Sequence, residues 1–194
     1  MLSARQQTII IGTMLGDGCL EKNGTHFRLK VDHGPAQQQY VNWKFDQLAD
    51  VAASPPKKVE FFDQRTYKTY VHWRFATRSI KELDYFGDIF YNGGRKFIPL
   101  NVIDILKEQL ALAVWYMDDG YLRRDCGALY LNTQGYKKNE QFLLKECLSN
   151  NFRIETTIHL AREHFLVYIP SHQAKKFCDI IRPHVISSMS YKLL

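Results

Sequence analysis

The chain has 194 residues, of which 45% are hydrophobic, and its lysines and arginines outnumber its aspartates and glutamates by 26 to 20. This composition predicts a globular protein with a sizeable core, and no apolar stretch is long enough to span a bilayer. The net charge of +6 favours a polyanionic partner. Four scattered cysteines without paired spacing favour neither a zinc site nor a disulfide framework. We expect an intracellular protein without a targeting signal or a membrane partner.

The chain is predicted to begin with a helix over residues 5–16, which Ser3 caps and which ends next to Asp17. Gly12 and Gly16 are four residues apart and therefore share one face of this helix. Two glycines on one face permit another helix to approach closely.

Strands and helices are predicted to alternate along the rest of the chain. The first half continues with a strand over 26–32, a helix over 37–53, strands over 58–63 and 70–76, and a helix from a capping box at Ser79 and Glu82 to residue 90. The second half has an apolar helix from Leu110, a strand over 128–133, a helix over 140–150, a hairpin of 156–161 and 163–169, and a helix over 171–181. Both halves thus follow one order, which predicts domains 1–98 and 99–194 that meet at the turn-rich segment 91–99.

Each half also contains an apolar helix that ends in an aspartate followed by a glycine. Asp118 and Asp119 follow the apolar run of the second half, and Asp17 follows that of the first. Carboxylates are unfavourable at the carboxyl end of a helix, so a divalent cation is expected to compensate them. A single helix that ends in Asp-Gly is usually just a capped helix. Because the same ending occurs in both halves, we favour a metal site that hydrolyses both strands of a duplex. Asp118 is expected to offer its backbone carbonyl, because its counterpart Gly16 has no side chain.

Basic side chains alternate with apolar ones on several predicted strands. Such a face is either solvated or in contact with DNA, and the net positive charge favours DNA. The predicted contacts to bases are Arg28, Lys30, His72, Arg74 and Asn132. Other basic positions that either contact phosphates or are solvated are Arg65, Arg123, Lys137 and Lys138.

Together these segments resemble the LAGLIDADG homing endonucleases, in their single-chain, two-motif, intron-encoded branch. Residues 10–18 read IIGTMLGDG and residues 112–120 read LAVWYMDDG, which match the nine-residue motif and place Asp17 and Asp119 at its catalytic eighth position. Further matches to the intron-encoded members are KFIP at 96–99, LNTQ at 131–134 and YKL at 191–193. The resemblance therefore covers nearly the whole chain.

The resemblance implies a pseudo-symmetric α/β (α+β) fold of two αββαββα repeats. An antiparallel sheet from each repeat forms a saddle on DNA, and the motif helices pack at the interface between repeats. The carboxylates of Asp17 and Asp119, with the carbonyls of Gly16 and Asp118, would bind Mg²⁺. Mn²⁺ or Ca²⁺ would occupy the same sites, Ca²⁺ without turnover.

The resemblance also assigns further residues. Lys96 and Lys192 fall where the family keeps a basic residue in each active site. Four residues near the polar position that ends the corresponding family strand are also expected to contact DNA: Asp32, His33, Asn132 and Gln134.

These features predict a monomeric, site-specific double-strand DNA endonuclease. Each saddle follows roughly one turn of the major groove, so the target is about 20 base pairs long. Two alternatives remain open: an RNA maturase that assists intron splicing, and a non-cleaving DNA-binding regulator on the same scaffold. Retention of both aspartates and both lysines argues against the second alternative, since binding alone does not require them.

Overall fold

The computed structural model describes residues 1–161 and 163–194 and contains two four-stranded sheets with helices around them. The first half consists of α1 (Ala4–Leu15), β1 (Cys19–Asn23), β2 (His26–His33), α2 (Gln38–Leu48), β3 (Lys57–Asp63), β4 (Lys68–Ala76) and α3 (Asp84–Phe90). A small hairpin of β5 (Tyr91–Asn92) and β6 (Arg95–Lys96) and the short α4 (Val102–Ile105) follow. The second half consists of α5 (Gln109–Asp119), β7 (Gly120–Leu122), β8 (Leu129–Leu131), α6 (Lys138–Phe152), β9 (Thr157–Ala161), β10 (His164–Ile169) and α7 (Ser171–Ile181). The predicted fold of two αββαββα units is confirmed.

The two sheets have the same topology. Their strand orders are β1-β2-β4-β3 and β7-β8-β10-β9, and all neighbouring strands are antiparallel. In each sheet the second strand of one hairpin pairs with the second strand of the next. The carboxyl end of each motif helix, α1 or α5, leads directly into an edge strand, β1 or β7. This connection places each terminal aspartate at the edge of a sheet.

The amino terminus of α1 forms the predicted cap. The Ser3 hydroxyl accepts a hydrogen bond from the Gln6 amide (3.2 Å), and the Gln6 side chain accepts one from the Ser3 amide (2.9 Å). This reciprocal pair satisfies two amide groups that have no partner within the helix. The helix therefore begins at a residue that the sequence identifies.

The predicted capping box at Ser79 and Glu82 is wrong. The Ser79 hydroxyl accepts a hydrogen bond from the Asn23 side chain (2.9 Å), and the Glu82 carboxylate pairs with the amino terminus (3.2 Å). A short 3-10 helix occupies Lys81–Leu83, and α3 begins only at Asp84, whose carboxylate accepts a hydrogen bond from the Phe27 amide (3.0 Å). Contacts with the first sheet therefore replace the local cap.

Other elements also differ from the predictions. The short strands β1 and β7 do not have the alternating apolar pattern from which a strand is predicted. The helix predicted over 37–53 ends at Leu48, and a 3-10 helix occupies Pro35–Gln37. By contrast, α7 has the predicted bounds.

The motif helices α1 and α5 cross at the two glycines of α1. A methyl group added at Gly12 would lie 2.4 Å from the Ala111 carbonyl oxygen, and one at Gly16 would lie 2.5 Å from Cβ of Asp118. Contacts this short are not possible between real side chains, so a larger residue would force the helices apart. The predicted close approach is confirmed.

One hydrophobic cluster runs through both halves of the chain. It includes Met14 and Leu29 from the first half, and Trp115, Leu131 and Phe177 from the second. The two sheets and the motif helices therefore share a core, and the domain boundary between residues 98 and 99 stays a prediction. Among residues 1–161 and 163–194, no helix has the length and apolar character needed to cross a membrane.

We expect Gly12→Ala to lower the free energy of unfolding by about 1–3 kcal/mol, because the added methyl overpacks the helix crossing. Alanine has a higher helix propensity than glycine, so helix propensity alone would raise the free energy of unfolding. The matched control is Gly34→Ala, where an added methyl has no neighbour within 4 Å. Urea denaturation measures both variants, and a Gly12→Ala protein as stable as the control would contradict the close crossing.

Candidate active site

The carboxyl ends of the two motif helices meet at a group of three aspartates. Asp118 extends from α5 towards α1, where its carboxylate accepts a hydrogen bond from the Asp17 amide (3.3 Å). The Asp17 side chain is 49% exposed, whereas that of Asp118 is fully buried. Asp119 is half-buried, and the charges of the other two aspartates act on it. The predicted meeting of acidic helix ends is thus present, but the three carboxylates have different environments.

Lys44 of α2 neutralises the Asp118 carboxylate. Its Nζ lies 2.8 Å and 3.0 Å from the two carboxylate oxygens, and both side chains are buried. The ammonium also lies 4.5 Å from the centre of the Tyr40 ring, and the Tyr40 hydroxyl donates to the Val114 carbonyl (3.1 Å). A buried carboxylate requires such a partner. The Asp118 side chain therefore belongs to the packing of α5 on the first half, and the expected role of its backbone carbonyl stays a prediction.

His33, the last residue of β2, lies between Asp17 and Asp118. Its Nδ1 is 3.6 Å from Asp17 Oδ2, and its Nε2 is 3.7 Å from Asp118 Oδ1. Burial lowers the pKa of His33 and Lys44 lowers it further, against the opposing effect of the two aspartates, so the imidazole is neutral at pH 7. His33 was expected to contact DNA, but its buried side chain lacks the open surface for that contact.

Two lysines bind the backbone at the ends of the motif helices. Lys96 Nζ donates to the carbonyls of Gly16 (2.6 Å) and Gly18 (3.0 Å). Lys192 Nζ donates to the carbonyls of Met117 (2.6 Å) and Asp118 (3.1 Å). Burial lowers the pKa of each lysine, and the nearby aspartates oppose that shift. Each lysine thus places a positive charge at the negative end of one helix dipole.

The Asp119 carboxyl group has a raised pKa. Burial raises its pKa to about 8, the charges of Asp17 and Asp118 add to the effect, and Lys96 and Lys192 oppose it. The ionised form therefore lacks sufficient positive charge around it. A bound cation would provide that charge.

The donor atoms at this site fit a hard divalent cation. Carboxylate and carbonyl oxygens are the ligands that Mg²⁺ prefers. The carbonyls of Gly16 and Asp118 each accept one lysine hydrogen bond and keep a second lone pair. Among the described residues, the side chains of Asp17, His33 and Asp118 also form a group whose ligand atoms lie within 4.8 Å of one another. Because Lys44 already pairs with Asp118, Asp17 and Asp119 are the carboxylates whose charge a cation would compensate.

The structure brings the predicted strand contacts together on the open face of the first sheet. Arg28 pairs with Glu21, which also lies 3.1 Å from Lys30 Nζ. Asp32 accepts from both His72 and Arg74 at 2.6 Å. These side chains therefore form an ion-pair network on one surface. Contact with DNA would require the basic groups to exchange their acidic partners for phosphates or bases.

The other predicted DNA contacts are dispersed. Arg65 pairs with Asp63 near the β3–β4 turn (3.4 Å), and Arg123 pairs with Asp125 after β7. Lys137 and Lys138 lie at the start of α6, and Gln134 donates to Asn132 (3.4 Å) beyond β8. Their roles in binding stay predictions.

Sequence reasoning missed Lys44 and Tyr40 as parts of the site. Both are buried residues of α2. A lysine at a core position of a helix is a signal for a buried acidic partner, because an unpaired buried ammonium is too costly. The partner itself, Asp118, lies in the other half of the chain.

Comparison with known proteins identifies the family of this chain. The model of the LAGLIDADG DNA endonuclease family matches residues 7–177. The chain belongs to this family.

Relatives of this LAGLIDADG endonuclease match it over its full length. The DNA endonuclease I-ChuI of Chlamydomonas applanata is 28% identical over 99% of this chain and 95% of its own length. A probable intron-encoded endonuclease 1 of Wickerhamomyces canadensis is 31% identical over 100% of this chain and 85% of its own. The solved structure of the homing endonuclease I-WcaI bound to its DNA recognition sequence superimposes with a TM-score of 0.93 at 28% identity, and the match covers 100% of this chain and 88% of that one. The predicted family is confirmed, and the protein is a DNA endonuclease.

The raised pKa of Asp119 gives this LAGLIDADG endonuclease a stability that depends on pH. Because the pKa of Asp119 is about 8 in the folded chain and that of an ordinary aspartate is 3.8, the unfolded chain releases this proton first as the pH rises. The free energy of unfolding of the wild type, measured relative to that of Asp119→Asn, should therefore fall from about pH 4 and level off above about pH 8. Urea denaturation in a chelating buffer measures the difference.

The control for this measurement is Asp46→Asn, which changes an exposed carboxylate on α2. The stability of this variant should follow the wild-type curve at every pH. Added magnesium chloride should restore the lost stability of the wild type above pH 7. If the curves of unfolding free energy against pH were parallel for the wild type and Asp119→Asn, the pKa of the Asp119 carboxyl group would not be raised.

Proposed function

We propose that this chain is a site-specific endonuclease that hydrolyses both strands of duplex DNA with a divalent cation. The proposed cation is Mg²⁺. One observation carries the proposal: each motif helix ends at or just before an aspartate, has a lysine on its terminal carbonyls, and meets the other helix at a single site. Binding of DNA alone does not require this arrangement. It therefore favours a cutting enzyme over a non-cleaving regulator on the same scaffold.

The chain's own residues would hold the cation and position the reacting phosphates. The carboxylates of Asp17 and Asp119, with the free lone pairs of the Gly16 and Asp118 carbonyls, would be its ligands. When bound, the cation lowers the pKa of an attacking water and stabilises the leaving oxygen. The ammonium groups of Lys96 and Lys192 lie beside the same carbonyls. From there they would stabilise the negative charge that develops on the phosphate.

The two open sheet faces are the proposed DNA surface. I-WcaI, which is bound to its DNA recognition sequence, has this fold at a TM-score of 0.93. The net charge of +6 also suits a duplex. With one sheet for each half-site, the target would span about 20 base pairs and one chain would be sufficient to bind it. Intron RNA is the alternative partner, and competition between RNA and duplex DNA distinguishes the two.

We expect Asp17→Asn and Asp119→Asn each to abolish cleavage while duplex binding is largely kept, because each variant removes a cation ligand and no basic group. The assay incubates a randomised duplex library with the protein and magnesium chloride and sequences the new ends on both strands. Asp46→Asn, which lies away from the site on an exposed helix face, should cut like the wild type. A fully active Asp119→Asn protein would refute the assignment.

A further inference from the structure

The open faces of the two sheets differ in chemistry. The first carries the ion-pair network of Arg28, Lys30 and Arg74 with their acidic partners. Within β7, β8, β9 and β10, as the structure bounds them, no position is lysine, arginine, aspartate or glutamate. Aromatic side chains occupy the corresponding face of this second sheet. The two halves of the protein therefore present different surfaces to a partner.

Four residues form this second surface, which we call the tyrosine face: Tyr121, Tyr130, His159 and Tyr168. Tyr121 and Tyr168 both pair in register with Tyr130, so the three tyrosines lie side by side across β7, β8 and β10. Their strand neighbours, among them Leu131 and Val167, are buried on the opposite side of the sheet. The alternation of a strand therefore directs the tyrosines away from the core.

Contacts within the tyrosine face hold three of its four rings in place. The His159 and Tyr168 rings stack with centres 4.0 Å apart, and the Tyr130 and Tyr168 rings are 4.9 Å apart. The Tyr130 hydroxyl lies 3.3 Å from Nδ1 of His159. Tyr121 at the edge of the sheet is 57% exposed. Rings that are already ordered lose little conformational entropy when a partner binds.

We propose that the tyrosine face selects thymine-containing base pairs in one half of the DNA target by apolar contact with the thymine methyl groups. This inference rests on the proposed function, because it names how one half of the same DNA surface reads its bases. Thymine presents a methyl group in the major groove, and apolar side-chain surface recognises it. The tyrosine hydroxyls and the imidazole of His159 can also bond to base edges. None of the four residues is a lysine or an arginine that would bind a phosphate.

The two half-sites would consequently differ in their response to salt. Each contact between a basic residue and a phosphate adds to the salt dependence of binding, whereas an apolar contact with a base does not. The first sheet provides charge and the second provides mainly apolar contact. The loop after β7 carries Arg123 and Arg124, and Arg123, which pairs with Asp125, lies beside Tyr130 of the tyrosine face.

The test selects bound duplexes from a randomised pool with the wild type, Tyr168→Ala and Tyr121→Ala. We expect the wild type to select thymines in one half of the target, and each variant to relax that preference in the same half. Both variants should bind the wild-type duplex about tenfold more weakly. The slope of log affinity against log salt should not change. Tyr121→Ala repeats the test at an exposed edge position, where folding is not at risk.

Two matched controls accompany these variants. Arg74→Ala should relax base selection in the other half of the target, because Arg74 is a predicted contact to a base. Replacing thymine by deoxyuridine removes a single methyl, which should weaken wild-type binding about fourfold at a contacted position. Tyr168→Ala should be insensitive to that replacement.

The failures of the two hypotheses are distinguishable. If the wild type selects no duplex, the proposed function fails and this inference fails with it. If the wild type selects a duplex but both tyrosine variants bind and select it unchanged, only the role of the tyrosine face is refuted. Loss of preference in both halves together would also refute it, because the face lies in one half of the protein.

Discussion

The buried ion pair between Lys44 and Asp118 is the contact on which the arrangement of the site depends. It connects α2 and the end of α5 at the point where α5 crosses α1. Because Gly16 has no side chain, the Asp118 carboxylate fits into the crossing and accepts from the Asp17 amide. Removing either charge alone would leave the other buried without a partner, at a cost of about 3–5 kcal/mol. The same pair thus fixes the helix crossing and the separation of the helix ends.

The ion pair also makes the two halves of the site unequal. Lys96 and Lys192 bind the two helix ends in equivalent ways, which follows the internal repeat. Asp17 is open and adjoins His33, whereas burial raises the pKa of Asp119 to about 8. A symmetric backbone therefore carries an asymmetric set of charges, and the two strands of a bound duplex would meet different surroundings. The contrast between the two sheet faces extends this asymmetry to the DNA surface.

Much of the fold was predictable because its signals are local. The Ser3 cap, the paired glycines of α1 and the bounds of α7 all follow from short sequence patterns. The strands β1 and β7 were not predictable, since they are held by pairing with distant strands rather than by an apolar pattern. Asp17, Asp119, Lys96 and Lys192 were named from motifs, and the structure brings them to one region. Lys44 was missed because its partner is 74 residues away.

The most direct test measures the cleavage rate of the double variant Lys44→Met/Asp118→Asn. It asks whether the buried pair has only a structural role, so that Asp17 and Asp119 are the carboxylates that take part in the reaction. The duplex is the one that the wild type selects, with magnesium chloride present, and urea denaturation confirms folding. We expect a rate within about tenfold of the wild type, a difference of about 1.4 kcal/mol in barrier. The two changes remove both buried charges together and leave both proposed cation-binding carboxylates in place. A folded double variant that binds the duplex but does not cut it would show that the Asp118 carboxylate takes part in the reaction.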